Sequence, residues 1–315
     1  MSPAVTGKAL VGVSACLLGE EVRYNGAHKL DDFVCGALAR VVDLRPVCPE
    51  VDIGLGVPRE PIQLTRSNNG TRLVAAESGA DLTAAMESYA EAKVRELDAA
   101  GICGYVLKSR SPSCGLGSVP IDGEGGGDGL FAATLRKLCE RLPTTEETSL
   151  EEAADREVFL ARVLAYRRLR DLFDGDWEIA DLLEHHTRQK VLLMAQSPDL
   201  YSRLGRLVAE AAGAETANVE SAYRLLTMEA FEQKATAERH SNALEHMRGY
   251  LRKTASEADY AGLGGKISSF RDGKLELAGV LDDFRLLVKK HSVDDLSLQV
   301  YLKPQPAELL AGQEN

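Results

Sequence analysis

Three cysteines share a local setting that suits a metal cluster. Cys16 stands in SACLLG, Cys48 in VCPE and Cys114 in SPSCG, each after a strand-like segment and next to glycine or proline. The carboxyl ends of parallel strands meet at one edge of a sheet, so we expect these thiols to converge there. Three thiolates bind an iron–sulfur cluster and leave one iron without a protein ligand. Three unrelated buried thiols are the alternative.

The other cysteines lie within or beside helical or strand patterns. Cys35, Cys103 and Cys139 are therefore expected to be buried as small hydrophobic side chains. No Cys-x-x-Cys pair occurs, which argues against a zinc ribbon or a thioredoxin-like motif. His28 leaves a mixed Cys/His zinc site open. All six cysteines fall before residue 140, so we place the chemistry in the N-terminal half.

The elements that must position these cysteines alternate between strand and helix. Strands are predicted over 9–15, 42–47 and 104–108, and helices over 31–41, 81–99 and 130–141. This alternation predicts an α/β domain with a Rossmann-like parallel sheet. Sites of such sheets form in the loops beyond the carboxyl ends of the strands.

A change of pattern divides the chain into two predicted domains, 1–145 and 146–315. The polar, proline-bearing stretch 142–148 is interpreted as a linker. Apolar residues then recur at helical spacing, which predicts an all-α second domain. Its helices are expected over 151–172, 177–195, 199–212, 219–254 and 278–290. Ser197 is predicted to cap the third of these, with Pro198 at its first position.

The composition is that of an ordinary globular enzyme. Of 315 residues, 44% are hydrophobic and 27% charged, which argues against disorder, collagen and coiled coil. The apolar runs are far shorter than the roughly 20 residues of a membrane span. Met1–Lys8 lacks the regions of a signal peptide, so we expect a cytoplasmic protein without a membrane partner. A net charge of −11 argues against binding nucleic acid through bulk charge but leaves a local basic surface open.

The motifs SACLLG, CPE and KSRSPSCG, in this order, resemble the three motifs of the bacterial thiouracil desulfidases. The resemblance covers residues 8–140 or so. It implies that Cys16, Cys48 and Cys114 bind a [4Fe-4S] cluster. It also implies a fourth iron that is open to the sulfur of a thiolated uracil.

The helical half resembles the YbgA-like domain that is often fused to such desulfidases. The matching stretches are KVLLMAQSP (190–198), LGRLVA (204–209) and RHSNALEHMRGY (239–250). The two-domain form resembles the bacterial desulfidases that remove sulfur from 4-thiouridine in tRNA. Gln196 departs from the pattern, because a histidine is expected there.

Removing sulfur without redox chemistry requires a thiophilic centre, a nucleophilic water and a group that moves protons. Glu50 lies two residues after Cys48, so its carboxylate is a candidate general acid or base. Ser111 lies three residues before Cys114, where its hydroxyl would orient the base or the water. The resemblance implies a catalytic role for both. Glu50 as a solvated loop residue and Ser111 as a turn serine before Pro112 are the alternatives. Ser109 and Ser113 are less favoured substitutes for Ser111.

The glycine-rich segment 122–129 invites comparison with a phosphate-binding loop. It lacks the Gly-Lys-Ser/Thr ending of a P-loop and carries three acidic residues. We interpret it as a flexible lid or linking loop, and no nucleotide cofactor follows from it.

Basic residues of the helical half suggest recognition of tRNA phosphates. The candidates are Arg167, Arg168, Arg188, Lys190, Arg203 and Arg206. Tyr166 and Tyr201 lie among them and would stack on bases. A solvated, ion-paired helix face is the alternative. His185, His186, His240 and His246 do not have the spacing of a metal site and are expected to be ordinary polar or RNA-facing residues.

The first hypothesis is therefore an iron–sulfur enzyme that converts 4-thiouridine in tRNA to uridine and releases sulfide. A desulfidase that acts on free thiouracil is the second. A non-catalytic cluster protein that binds RNA and senses redox state is the third, and it differs from an enzyme in tolerating the loss of Glu50. The sequence leaves the oligomeric state and the sulfur acceptor open.

Overall fold

The computed structural model describes residues 7–68, 70–232 and 234–311. These residues form two compact units that divide between Arg167 and Arg168. The division falls within a long helix and lies later in the chain than the predicted boundary.

The strands of the described residues all lie in the first unit. They are β1 (Ala9–Ser14), β2 (Val42–Val47), β3 (Ile62–Ser67), β4 (Gly70–Ala75), β5 (Ile102–Leu107), β6 (Val119–Ile121), β7 (Glu124–Gly127) and β8 (Thr144–Glu146). The helices of this unit are α1 (Ala39–Val41), α2 (Pro49–Asp52), α3 (Thr83–Ala99) and α4 (Leu130–Leu138). A π-helical turn over Val34–Leu38 leads into α1.

Four strands of the described chain form a parallel sheet in the order β2-β1-β5-β8. The inner strands β1 and β5 are almost wholly buried, as expected of a sheet that is covered on both faces. Gly12 of β1 is required for this packing, because a Cβ there would lie 2.4 Å from the ring of Tyr105 on β5. Ser14 pairs with Val47, so β1 and β2 end at the same level.

The helix α3 covers the sheet through an apolar stripe. Met86, Ala90, Val94 and Leu97 are buried at helical spacing and contribute to the core of the unit. A fully buried aliphatic side chain the size of valine or leucine contributes about 1.5–3 kcal/mol relative to an exposed one. The helix thus fixes the sheet on which the loops of the site depend.

A second sheet, in the order β4-β3-β6-β7, was not predicted from the sequence. Its hairpin β3–β4 has few buried residues, among them Leu64 and Leu73. The glycine-rich segment 122–129 belongs to this sheet in part, because β7 pairs with β6. The prediction of a flexible loop is therefore wrong for Glu124–Gly127. Main-chain hydrogen bonds to β6 hold this strand in the sheet, although its glycines have no side chains to pack.

The predicted linker is also wrong. Residues 142–148 contain β8, which pairs in parallel with β5 through Tyr105, Val106 and Leu107. Polar side chains suggested a solvent-exposed linker, but two of them, Glu146 and Glu147, are buried. A buried carboxylate must have hydrogen-bond donors, and the site supplies them.

The remaining helices are α5 (Ala153–Phe173), which crosses the division, α6 (Ile179–Gln196), α7 (Pro198–Glu210), α8 (Thr216–Ala230), α9 (Ala237–Leu251), α10 (Glu257–Arg271), α11 (Leu277–His291), α12 (Asp294–Ser297) and α13 (Pro306–Ala311). Ser197 caps α7 by accepting from the amide of Leu200, and Pro198 begins the helix, as predicted.

The single helix predicted over 219–254 is instead two, α8 and α9. Thr236 accepts a hydrogen bond from the amide of Arg239 and so starts α9. The helix α10 was not predicted. Its glycines interrupt the apolar residues that recur at helical spacing, and only Leu263 and Ile267 of this helix are buried.

The predicted fold class is confirmed: an α/β domain precedes a helical one. Across the described ranges, no helix combines the length and the apolar character that a membrane span requires.

Candidate active site

A cavity of about 450 Å³ opens where β1, β2 and β5 end. Its wall includes the three cysteines that the sequence singled out, Cys16, Cys48 and Cys114, together with Glu50 and Ser111. The parallel sheet thus brings together side chains that are up to 98 residues apart in the sequence.

Each cysteine occupies a tight turn directly beyond a strand or its loop. Cys16 lies in the 3-10 turn that follows β1, and this turn ends at Gly19 with a φ of 91°. Cys48 stands at the N-cap of α2, where Pro49 begins the helix. Both turns reverse the chain at the edge of the sheet, so the thiols stay at the cavity.

The third cysteine is held by the start of α4. The amides of Phe131 and Ala132 donate to the carbonyl of Ser113, which precedes Cys114. Gly129 allows this approach, because a Cβ there would lie 2.4 Å from the carbonyl carbon of Ser113. A side chain at position 129 would therefore push the Cys114 loop away from the cavity.

Two consecutive glutamates of the supposed linker support the same loop from the far side. Glu147 accepts from the amide of Ser109 at 2.7 Å and from Nζ of Lys108 at 2.6 Å. Glu146 accepts from the amide of Leu116 at 2.6 Å and from the hydroxyl of Ser118. Burial alone would raise the pKa of Glu147, but the donors of Lys108 and Ser109 hold it below its ordinary value.

Burial of the thiols controls their protonation. Burial is the main cause that raises the pKa of Cys16 to about 11 and that of Cys114 to about 12, and it also raises the pKa of Cys48. Near neutral pH these thiols are therefore protonated until a metal displaces the protons. Lys108 and Arg23 oppose the shift at Cys16, so positive charge lies near the thiols.

The described cysteines do not form a close group of three ligands around one point. Within 7–68, 70–232 and 234–311, no three His, Cys, Asp or Glu side chains are grouped closely enough to bind one ion. The ligands of a cluster bind different irons and need not converge on one point. His28, which left a zinc site open, is exposed and does not line the cavity.

Glu50 is held at both of its carboxylate oxygens. Arg59 donates to Oε2 through Nη2 at 2.5 Å and through Nε at 3.1 Å. Oε1 accepts from the hydroxyl of Ser113 at 2.7 Å and from that of Ser111 at 3.3 Å. The two hydroxyls lie 2.9 Å apart, and Ser111 also accepts from the amide of Cys114. A carboxylate is thus linked through hydroxyls to the backbone of a cysteine.

Sequence reasoning missed two residues of this arrangement. Arg59 is absent from the predicted site, although a basic residue in the Gly/Pro-rich segment GVPREP can indicate a functional loop. Ser113 was ranked below Ser111, yet its hydroxyl is nearer to Glu50. Ser109 is occupied elsewhere, because its hydroxyl donates to Glu147.

The remaining cysteines do not line the cavity. Cys103 and Cys139 are buried, as predicted. Cys35 is exposed, so that prediction is wrong; its thiol lies at the start of the irregular π-helical turn and bonds to the carbonyl of Leu17.

The candidate tRNA-binding residues have different surroundings. Arg203 and Arg206 are exposed on α7, and the carboxylates near Arg203 are 3.9 Å away. Arg188 is exposed and paired with Glu184, and Lys190 bonds to the hydroxyl of Tyr250. In the other candidates, Arg167 donates to the carbonyl of Lys8, and the Nε atom of Arg168 is buried.

The aromatic and histidine residues of the helices are mostly internal. Tyr166 packs against the core of the first unit, and Tyr201 stacks on His186. Burial lowers the pKa of His185 to about 3 and that of His240 to about 4. His246 is exposed on α9.

Comparison with known proteins assigns both parts of the chain. Residues 11–147 match the family described as 2-thiouracil desulfurase. The uncharacterized protein YbbK of Bacillus subtilis is 33% identical over 153 residues, which are 44% of this chain and 97% of YbbK. A solved structure of the [4Fe-4S]-dependent thiouracil desulfidase TudS is 34% identical and covers 50% of this chain and 99% of TudS, with a TM-score of 0.40.

Residues 190–306 match a protein family of unknown function, DUF1722. The uncharacterized protein YbgA of Escherichia coli is 28% identical over 125 residues, which are 39% of this chain and 73% of YbgA. The family match of the first unit covers β1 through β8 almost completely and contains every cysteine of the cavity. This chain therefore belongs to the 2-thiouracil desulfurase family, and it carries a DUF1722 domain after the family's own.

Proposed function

We propose that the chain is a desulfidase that hydrolyses the thiocarbonyl group of a thiolated uracil. The observation that carries this proposal is the cavity in which Glu50 bonds to the loop of Cys114 while Cys16 and Cys48 lie in the same wall. Such an arrangement places a proton-transfer group beside a set of soft metal ligands.

The proposed cofactor is a [4Fe-4S] cluster with Cys16, Cys48 and Cys114 as its three protein ligands. The donor set fits, because thiolates are the usual ligands of iron–sulfur clusters and all three thiols lie in the wall of one cavity. The cations Lys108 and Arg23 near Cys16 would offset the negative charge of the thiolates. A cluster held by these three cysteines would supply thiophilic Lewis-acid chemistry at the cavity.

The proposed role of Glu50 is to move protons at Oε1. This oxygen would take a proton from a water that attacks the thiocarbonyl carbon, and the products are the carbonyl compound and hydrogen sulfide. Ser111 lies in the cavity wall and bonds to Oε1, so its hydroxyl would orient that water or the base. The reaction consumes one water and needs no oxidant or reductant.

For the substrate, we propose 4-thiouridine in tRNA. Arg203 and Arg206 support it, because both are exposed on α7; Arg203 also forms long ion pairs of 3.9 Å with Asp199 and Glu229, which a phosphate would have to replace. Guanidinium groups so placed suit phosphate binding. Free thiouracil is favoured by a different observation: the cavity volume is in the range that suits a small molecule.

The deciding experiment is anaerobic purification of the full chain with iron and sulfide analysis, followed by sulfide-release assays. The assays compare 4-thiouracil, the 4-thiouridine nucleoside and tRNA that bears 4-thiouridine, and Cys16→Ser serves as the negative control. We expect iron and sulfide in the protein and turnover that Cys16→Ser lacks. Iron without turnover of any of the three would favour a redox sensor, and turnover of the free base alone would favour a thiouracil desulfidase.

A further inference from the structure

Arg59 makes more hydrogen bonds at the site than are needed to hold a single loop in place. Its guanidinium donates to Oε2 of Glu50 through two nitrogens, to the carbonyl of Val22 at 2.8 Å and to that of Gly56 at 3.1 Å. Its side chain is only 6% exposed. Guanidinium is rigid and planar, so these hydrogen bonds together fix its position.

The two oxygens of Glu50 have different partners. Both donating nitrogens of Arg59 reach Oε2, whereas Oε1 faces the hydroxyls of Ser113 and Ser111. With Oε2 bonded to a permanent cation, the carboxylate cannot rotate to exchange its oxygens without breaking two charge-assisted hydrogen bonds. Only Oε1 then remains for proton transfer.

The positive charge of Arg59 also offsets negative charge in the cavity wall. The cavity wall holds three cysteines and Glu50, which together accumulate negative charge when the cysteines bind metal. Lys108 and Arg23 act on Cys16, whereas Arg59 acts on Cys48. Arg59 is bonded to Glu50 directly, so its charge offsets the repulsion between that carboxylate and the thiolates.

We propose that Arg59 is the positioning residue of Glu50: it holds Oε2 and so presents Oε1 to the serines of the Cys114 loop and to the reacting groups. This inference rests on the proposed desulfidase activity. Arg59 acts through Glu50, and it therefore contributes to turnover more than to the binding of substrate.

The chain offers a matched control for Arg59. Arg72 binds Asp81 through the same two nitrogens, with Nη2 at 2.5 Å and Nε at 3.1 Å from one oxygen. That pair is exposed and lies outside the cavity. Arg72→Met thus removes an equivalent ion pair from the same unit without touching the site.

The test is a double-mutant cycle on the full, iron-loaded protein, with Arg59→Met, Glu50→Gln and their combination. We expect Arg59→Met to fold and keep its iron at a lower melting temperature, because Glu50 loses its buried cation, and to show a kcat of about one tenth of the wild-type value or less, with KM within about threefold. In the Glu50→Gln background, Arg59→Met should cause no further decrease, because residues that act as a unit are not additive. Added guanidinium should restore part of the activity of Arg59→Met and none in Glu50→Gln.

Arg59→Lys is the second variant, since it keeps the charge but cannot reproduce the two-nitrogen hydrogen bonding. If Arg59→Met binds no iron or does not fold, Arg59→Lys replaces it in the double-mutant cycle. We expect its kcat to lie between those of the wild type and Arg59→Met. Wild-type kcat in both Arg59 variants, or decreases that multiply with that of Glu50→Gln, would overturn the inference while leaving the desulfidase proposal intact. An iron-loaded wild type without turnover would overturn both.

Discussion

The two units differ in whether their ionisable side chains form buried ion pairs. In the α/β unit, the pairs Glu50–Arg59 and Glu147–Lys108 are largely buried, and Glu50, Arg59 and Lys108 line one cavity. In the helical unit, the pair Arg188–Glu184 is exposed, and the partly buried His185 and His240 are uncharged near neutral pH. Arg285 with Glu308 is a half-buried exception that joins α11 to α13.

The difference teaches where function is to be sought. Burying a charged pair costs desolvation free energy, and such pairs are often no better for stability than apolar residues. Their presence around the thiols therefore points to chemistry. Inside the helical unit, uncharged aromatic and histidine side chains pack together, as in the stack of Tyr201 on His186, although the Nε atom of Arg168 is buried there as well. A binding role is therefore expected of its surface.

The largest effect is expected at the cavity cysteines. Cys16→Ser, Cys48→Ser and Cys114→Ser should each lose most of the iron and all measurable turnover, because a serine hydroxyl is a harder and weaker ligand for iron. Cys103→Ala and Cys139→Ala should keep both, since these thiols lie outside the cavity wall. Iron analysis and the visible spectrum of anaerobic protein check this. Loss of iron in Cys103→Ala but not in Cys16→Ser would show that the ligands are assigned wrongly.

The next effect concerns the carboxylate. Glu50→Gln should fold and keep its iron but lose turnover by about 10²–10⁴-fold, the usual contribution of general acid–base catalysis. Ser113→Ala should reduce kcat at least as much as Ser111→Ala, because its hydroxyl is nearer to Oε1. Glu60→Gln is the control, since Glu60 is bonded to Ser78 away from the cavity. Full activity in Glu50→Gln would end the catalytic assignment.

A smaller effect tests whether two histidines of the helical unit are held in neutral form. Burial lowers the folded-state pKa of His185 to about 3 and of His240 to about 4, from 6.5. The unfolded chain then binds more protons between these values, so this stability is complete above pH 6.5 and is lost as the pH falls. At pH 5 the loss should be about 2 kcal/mol for each histidine.

Thermal unfolding of the full chain between pH 8 and pH 5 measures this loss. In the double variant His185→Gln/His240→Gln, the melting temperature should depend less on pH than in the wild type. Glu147 does not interfere, because its lowered pKa acts at pH values below this range. Equal slopes in the two proteins would show that the histidines are not buried in neutral form.

The smallest effect is expected on the surface of the helical unit. If Arg203 and Arg206 bind tRNA phosphates, Arg203→Ala/Arg206→Ala should reduce the slope of log K against log salt by roughly 0.7–0.9 for each phosphate that is no longer neutralised. Turnover of free 4-thiouracil should not change, because the cavity lies in the α/β unit. Filter binding over a salt series gives the slope, with the exposed Lys274→Ala as control. An unchanged slope would favour free thiouracil as the substrate.

The sequence by itself determined much of the α/β unit. The buried run of β1 and the amphipathic spacing of α3 are local signals, and both elements were predicted within two residues. The position of each cavity cysteine beyond a strand was also visible, since glycine and proline mark turns. Parallel pairing then required the three thiols to share an edge of the sheet.

The tertiary structure alone decided which polar residues serve the site. Glu146 and Glu147 belong to a stretch with the composition of a linker, yet β8 pairs with β5 and their carboxylates reach the Cys114 loop. Arg59 meets Glu50 only because a loop folds back over Val22 and Gly56. These hydrogen bonds join residues between three and 38 positions apart, and a polar side chain does not reveal its partner by periodicity. Hydrophobic spacing is a local property of the chain, whereas the pairing of buried charges depends on how the whole unit folds.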